Sequence, residues 1–453
     1  SLYLTGIASM FCALSGRVYL ALAFTVFLLP LRNVVEKLED FPGGTQTIDL
    51  LIASMLIGWI LSSQSKETVS KTVSYIATPA IIMCIYLVFS MLIGTHSLTG
   101  SFGIDPHDSR IQDWKNFTLL PVLYFITINN LPDKKWTHRI FWVMMASLVL
   151  VCYYTTDQVR SYTSLLSRAK ISGTFQFLGP NEVAAFMNQT TIVLMGVFFC
   201  MKRSKEKIAI LAMALVLVYC IIFMYSRGAY LGLCAGLIIL FILKSPKMLI
   251  PVVIAGALWQ VVLPPQVIER IQGTTNQYGE LDESSELRIV MWERGMELFK
   301  GSPIWGIGYG AFRRMDFGTG LHDTHNIYVK ILVEQGIIGF ILFFVVIFSF
   351  IRQGWGLYQK GDDELSKGLG LGLAVSMITL MINNFFGDRW AYFELSSFTW
   401  IFAGLVTKLY EYRIDKPRET LMPRSAKPET VAARPAEVSD KSQVRKVRKS
   451  YYK

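Results

Sequence analysis

A few charged residues interrupt long apolar stretches of this 453-residue chain, and they are of types that bind anions and move protons. Arg227, in YSRGAYLGL, lies between two apolar runs. It reads either as a side chain reaching from lipid to the polar interface or as an anion ligand, because guanidinium binds phosphate bidentately and keeps its proton. Arg288 in SELRIVMWERG, with Arg294 close by, reads either as part of a salt bridge with Glu286 or Glu293 or as a second anion ligand. His325, in HDTHNIYVKILVEQGIIGF, is the side chain type best suited to accept a proton near neutral pH. His322, Asp323 and His325 also invite a metal reading, but their spacing is short and no other His or Cys adjoins them, so no metal site is expected. Arg313, Arg314 and Lys330 are further cations near this segment, Asn326 and Tyr328 are placed to orient His325 or a substrate, and Arg389 sits in a later polar loop with Trp390. In SGTFQFLGPNEVAAF, Pro180-Asn181-Glu182 marks a helix start. Asn181 there is either a plain cap or a neighbour of an anion held at the helix N-terminus.

The elements that must position these residues are apolar. Hydrophobic residues make up 52% of the chain, charged residues 17%, and the mean hydropathy is +0.41. A soluble chain carries roughly 25% charge, so three soluble domains of ordinary size, a disordered chain and a disulfide scaffold are all excluded. The six cysteines lie inside apolar runs without C-x-x-C spacing and read as small core residues. Stretches long enough to approach the ~20 apolar residues of a membrane span occur at 49–63, 74–94, 117–131, 139–156, 182–201, 208–225, 228–243, 248–263, 335–353, 367–385 and 395–410. Residues 1–31 add either one broken span or a short hairpin, and no cleavable signal peptide is evident. The expected fold is an all-α polytopic membrane protein with about 12 transmembrane helices.

Short basic linkers follow 63, 131, 201, 243 and 353, and they fall on one side together with the basic end of the chain. By the positive-inside rule that side is cytoplasmic. Arg227, the loop 264–334 and Arg389 then fall outside. Within that loop, 284–300 has helical spacing, with Ser284 or Ser285 as the expected N-cap. The glycines of GIGYGAF read as a tight turn at the membrane surface rather than a nucleotide loop, since no strand precedes them. The organisation expected is a helix bundle over 1–263, an outer loop over 264–334 carrying chemistry, further spans over 335–411, and a basic disordered tail over 412–453. That tail has 12 Lys/Arg against 5 Asp/Glu, so +7 of the net +11 belongs to it. The charge therefore marks topology and contact with anionic lipid, not nucleic acid.

Several of these segments together resemble the O-antigen ligase superfamily, which contains lipopolysaccharide O-antigen ligases, surface-polysaccharide polymerases and bacterial protein O-oligosaccharyltransferases. The pattern His-Asn, nine residues, Gly-x-x-Gly is met by His325-Asn326 and Gly336–Gly339. Arg-x-x-x-Leu is met by Arg227 and Leu231, the GTF…PN segment by Gly173-Thr174-Phe175 and Pro180-Asn181, and the outer-loop pattern by Arg288, Trp292, Pro303, Gly306 and Gly308. The matches run over about 170–345 in order and on one side; the N-terminal third matches only as hydrophobic spans. The resemblance implies a GT-C-like, metal-independent, inverting glycosyltransferase that needs no cofactor. Its donor would be a glycan on undecaprenyl pyrophosphate, in the bacterial inner membrane, with the active site on the periplasmic face and the tail cytoplasmic. His325 would be the general base, with Arg227 and Arg288 binding the pyrophosphate. Asn326, Tyr328, Arg294, Arg313, Arg314, Asn181 and Arg389 would contact substrates. Lipid A-core is the first expected acceptor. A lipid-linked glycan (a polymerase) is the alternative, then a protein hydroxyl. A transporter for the same lipid-linked glycan is the competing class; transporters often carry internal repeats, and none is evident here.

Overall fold

A computed structural model describes residues 2–31, 34, 47–63, 74–102, 105, 107–175, 178–202, 205–273, 283–315, 317 and 323–421. All regular structure among these residues is helical. The chain opens with two short apolar helices, α1 (Leu2–Leu14) and α2 (Val18–Leu28), so the first 31 residues form a hairpin. At 1.5 Å per residue each is well short of the ~30 Å of a hydrocarbon core. α3 (Thr47–Ser63), α4 (Ala77–Thr99), α5 (Ser109–Asn130), α6 (Lys134–Ser161), α7 (Pro180–Cys200), α8 (Lys205–Phe223) and α9 (Arg227–Lys244) follow. Asp108 caps α5 and Asp133 caps α6 by accepting from backbone amides of the first turn. Among the described residues, seven helices are long and apolar enough to cross a membrane, and shorter apolar helices accompany them. The protein is an all-α polytopic membrane protein. The six cysteines are free thiols.

The expected span 248–263 is not one helix. It breaks into α10 (Leu249–Ala257) and α11 (Trp259–Val262), and the amphipathic α12 (Pro265–Gln272) follows. Leu258 leaves helical geometry at φ −101°, ψ 20°. The chain nevertheless returns to the side it left, because Arg227 at the start of α9 and Arg270 in α12 line the same cavity. α13 (Glu283–Gly301) also starts earlier than expected: Ser284 and Ser285 lie in its first turn instead of capping it. The last helices are α14 (Ile327–Lys360), α15 (Glu364–Asn383) and α16 (Phe393–Leu421). α16 runs ten residues into the expected tail, from 412 to 421, and the remainder of the tail lies outside the described residues. Ser1–Arg413 forms one compact unit.

α15 runs between α7 and α14 at backbone distance. A Cβ placed on Gly372 would lie 2.7 Å from the Val193 Cα and carbonyl oxygen, and one on Gly196 would lie 2.6 Å from the Gly372 backbone. On the opposite face, a Cβ on Gly370 would lie 2.6 Å from the Gly354 carbonyl oxygen of α14. The spacing explains the geometry: Gly368 and Gly372 share one helix face, and Gly370, two residues from each, points the other way. Lipid is as apolar as Leu, so close van der Waals packing between small residues is what joins membrane helices.

The outer loop has its own small core of Met291, Ile307, Ala311, Phe312 and Val333. Its glycine-rich segment pairs with a break in α14: Ile307 N donates to Val333 O (2.8 Å), Gly308 N to Glu334 O (2.8 Å), and Ile337 N to Pro303 O (2.9 Å). The break is Gly336, at φ +64°, a conformation a side chain strains. Gly372→Ala should destabilise the detergent-solubilised protein by about 1–3 kcal/mol through overpacking, read as a lower unfolding temperature. Gly256→Ala, which meets nothing within 4 Å, should leave that temperature unchanged or raised.

Candidate active site

Two cavities open beside the segment that carries His325. The first has a volume of about 390 Å³, and its charged lining is arginine: Arg227, Arg270, Arg288 and Arg389. No Asp or Glu lines it among the described residues. Arg227 is presented as the first residue of α9, after a turn in which Tyr225 has φ +53°. Arg389 is held by Glu182 of α7 at 2.6 Å. Asn383 lines the cavity too, and its side-chain amide has no hydrogen-bond partner among the described residues.

Arg168 stands behind this wall. It donates to Asn181 Oδ1 (2.8 Å) and to the Met224 carbonyl (3.2 Å). Burial, then the charge of Arg270, brings its pKa down to about 10, which leaves it protonated at neutral pH. Asn181 is therefore not the helix cap. Pro180 is the first helical residue, Gly179 occupies the cap position, and the Asn181 side chain faces Arg168 while lining the cavity.

His325 is held in a left-handed backbone conformation, φ +48°, which costs energy unless its surroundings enforce it. They do. Its amide donates to Asp323 Oδ1 (3.1 Å), the Thr324 hydroxyl donates to Asn326 O (2.9 Å), and Trp292 Nε1 of α13 reaches Thr324 O (2.8 Å). The imidazole is half-buried, and that burial pushes its pKa below the ordinary histidine value. Asp323 opposes the shift, while Arg288 and Arg389 add to it. A neutral imidazole at neutral pH is the form that can accept a proton.

The second cavity, about 580 Å³, is lined by carboxylates, aromatic rings and fewer cations; Asp323 and Ile327 flank His325 in its wall, and His325 itself lines neither cavity. Asp323 belongs to it, whereas Arg288 belongs to the first; Asp388 belongs to it, whereas its neighbour Arg389 belongs to the first. Asp388 binds Lys330 at 2.9 Å and accepts from the Trp390 and Ala391 amides. Burial alone would raise its carboxyl, but Lys330 and those amides outweigh burial and hold it below the usual carboxylate range.

Of the residues expected from sequence, Arg227, Arg288, Arg389 and Asn181 meet at the arginine cavity beside His325. The others lie elsewhere. Arg313 and Arg314 line the second cavity, where Arg314 is tied to Asp108 at 2.9 Å. Arg294 is exposed and pairs with Glu297 at 3.2 Å. The Asn326 side chain caps α14 by accepting from the Tyr328 and Val329 amides. Tyr328 is buried against Phe344 and Phe385 and donates to Met381 O (2.6 Å), so both residues shape the fold and line neither cavity. His322 lies outside the described residues. Among the described residues no cluster of His, Cys, Asp and Glu could hold a metal ion. Arg168 and Arg270 were not singled out from sequence, and Glu182 and Trp292 entered there only as part of a helix start and of the outer-loop pattern, with no site role. Their signal was an arginine in an expected outer loop, a charged residue next to Asn181, and an indole four residues after Arg288.

An arginine-lined cavity beside a constrained histidine has the charge to bind an anionic group. The O-antigen ligase family model matches residues 192–344, a span that holds Arg227, Arg288 and His325. The exopolysaccharide production protein ExoQ of Rhizobium meliloti (strain 1021) is 26% identical over 161 residues, which cover 32% of this chain and 36% of that protein. Residues 192–344 are therefore similar to the O-antigen ligase family, and the chain spans well under half the length of the relative it matches. Inorganic pyrophosphate should raise the unfolding temperature of the purified protein, since saturating a site about 100-fold above Kd is worth about 2.7 kcal/mol. Arg270→Ala and Arg288→Ala should remove most of that rise, and an unchanged rise in both variants would sink the anion site.

Proposed function

We propose that this protein transfers a glycan from an undecaprenyl-pyrophosphate carrier to an acceptor hydroxyl at the outer, periplasmic face of the bacterial inner membrane. The observation that carries the reading is the convergence of Arg227, Arg270, Arg288 and Arg389 on one cavity beside His325. Pyrophosphate is already a good leaving group, so the demands on the protein are few. It must neutralise the charge that develops on departure, align the reactants and take one proton. The guanidinium groups bind the pyrophosphate oxygens in bidentate fashion. His325 takes the acceptor proton as the acceptor oxygen bonds to the anomeric carbon. The bond from that carbon to the pyrophosphate oxygen breaks on the opposite face, which inverts the configuration. The basic linkers support the outer placement of this site.

Two acceptors carry the same chemistry: lipid A-core, the first expectation from sequence, and the sugar end of another lipid-linked glycan. The relative named for exopolysaccharide production favours the second, so repeat-unit polymerisation is the reading we adopt. Deleting the gene should then leave single repeats or abolish exopolysaccharide. Long unligated chains above a bare core would instead mean ligation.

With purified protein and an undecaprenyl-pyrophosphate glycan, His325→Ala should lower the transfer rate by about 10²–10⁴-fold while the pyrophosphate-induced stabilisation persists. Because burial and the neighbouring arginines depress the His325 pKa, the wild-type rate should stay level from pH 8 down to about 6.5, the ordinary histidine value, and fall only below it as the imidazole protonates. Full activity in folded His325→Ala would remove the base from the mechanism.

A further inference from the structure

The charge of the two cavities differs in a way the pyrophosphate chemistry does not require. Arginines line one; Asp113, Asp323, Glu334, Asp388 and Glu394 bring five carboxylates to the other, against Lys330, Arg313 and Arg314. Two of those three cations are already committed, Lys330 to Asp388 and Arg314 to Asp108. Glu334 is the informative residue. It is 1% exposed, lines the cavity, and neither carboxylate oxygen has a hydrogen-bond partner among the described residues. The Gly310 and Phe312 amides face it without reaching hydrogen-bond geometry. Its backbone is fixed, since Glu334 O accepts from Gly308 N (2.8 Å) and from the Ser90 hydroxyl (3.2 Å) at the break in α14. A buried carboxylate with open acceptor positions needs donors. Aromatic faces stand in the same lining, at Tyr309, Trp390 and Tyr392.

We infer that this second cavity seats the acceptor as an uncharged, hydroxyl-rich saccharide, with Glu334 and Asp113 accepting hydrogen bonds from its hydroxyls and the aromatic rings covering its apolar faces. The inference rests on the transferase reading above and goes further by assigning the acceptor's cavity, the two carboxylates that hold it and the discrimination against anionic sugars. Sugar hydroxyls supply the donors that Glu334 lacks, and ring C–H faces pack on aromatic surface. A phosphorylated or carboxylated sugar would instead bring negative charge against carboxylates and pay a like-charge cost. The volume of about 580 Å³ lies in the range of small-molecule sites. Under the transferase reading, the acceptor hydroxyl gives its proton to His325 as its oxygen bonds to the anomeric carbon and the pyrophosphate leaves toward the arginines.

The test is calorimetric titration of the full-length protein in nanodiscs with cellobiose, lactose, glucose 6-phosphate and, separately, inorganic pyrophosphate. With the arginine cavity saturated by pyrophosphate, a neutral disaccharide should bind in the millimolar range and glucose 6-phosphate at least about tenfold more weakly. Losing a hydrogen bond to a charged acceptor costs about tenfold or more, so Glu334→Gln and Asp113→Asn should each weaken disaccharide binding by that factor and keep pyrophosphate binding. Asp113 is exposed at the cavity and keeps the test alive should Glu334→Gln not fold. Disaccharide binding that is absent, unaffected by both variants, or weaker than glucose 6-phosphate binding would overturn the acceptor assignment. Wild-type protein that binds disaccharide but not pyrophosphate would overturn the transferase reading and leave the saccharide site standing.

Discussion

The backbone-distance passage of α15 between α7 and α14 is the contact on which the rest depends. α7 brings Asn181 and Glu182, α14 follows directly from His325, and α15 ends at Asn383 and leads into Asp388 and Arg389. Every one of these groups is placed by where three helix ends emerge, and those ends are fixed by how closely the helices approach below them. Gly196, Gly354, Gly368, Gly370 and Gly372 set that distance. α9 leans on the same assembly: a Cβ on Gly232 would lie 2.7 Å from Asn383 Oδ1, which places Arg227 one helix end away from Arg389. Without water to drive helices together, this packing is the means by which a membrane bundle can hold a site to a defined geometry.

How much of this was legible in the sequence follows from what kind of information each part needs. Apolar runs report helices because the hydrocarbon imposes their length, so most expected spans are found as helices with ends shifted by a few residues. The 248–263 stretch failed because apolar composition does not reveal a broken backbone, and Leu258 carries no proline or glycine signal. His325, Arg227, Arg288 and Arg389 stood out because such side chains are costly at membrane depth, and the structure places the three arginines at one cavity. Arg294, Asn326 and Tyr328 looked equally suitable from neighbourhood in sequence. The helical periodicity turns Tyr328 into the bundle and Arg294 toward solvent, and the start of α14 engages Asn326 as its cap. Arg168 and Arg270 needed the opposite knowledge, namely that two separate loops fold over the same cavity.

The site's electrostatics are unusually divided for so small a region. His325 is depressed by burial and by arginines on one side and sustained by Asp323 on the other. The short turn 388–391 contributes Asp388 to one cavity and Arg389 to the other, each anchored by a buried partner, Lys330 and Glu182. On the proposed reading, Asp323 stabilises the cation formed when the neutral imidazole takes a proton, while the anionic group stays with the arginines.

The two cavities also differ in which part of the chain builds them. The arginine cavity is made from Asn181 onward, largely within the segment shared with the O-antigen ligase family, 192–344. The larger cavity recruits Met83 and Leu87 of α4 and Ser109, Asp113 and Phe117 of α5, from the third of the chain where only apolar spans were recognisable. Divergence in those two helices can therefore redraw one cavity while the other, with its chemistry, stays intact. The larger cavity is thus a composite, with Tyr309 to Gln335 lying inside the matched segment and the walls from α4 and α5 lying before it, so a change in those two helices alters its shape without touching Arg227, Arg270 or Arg288.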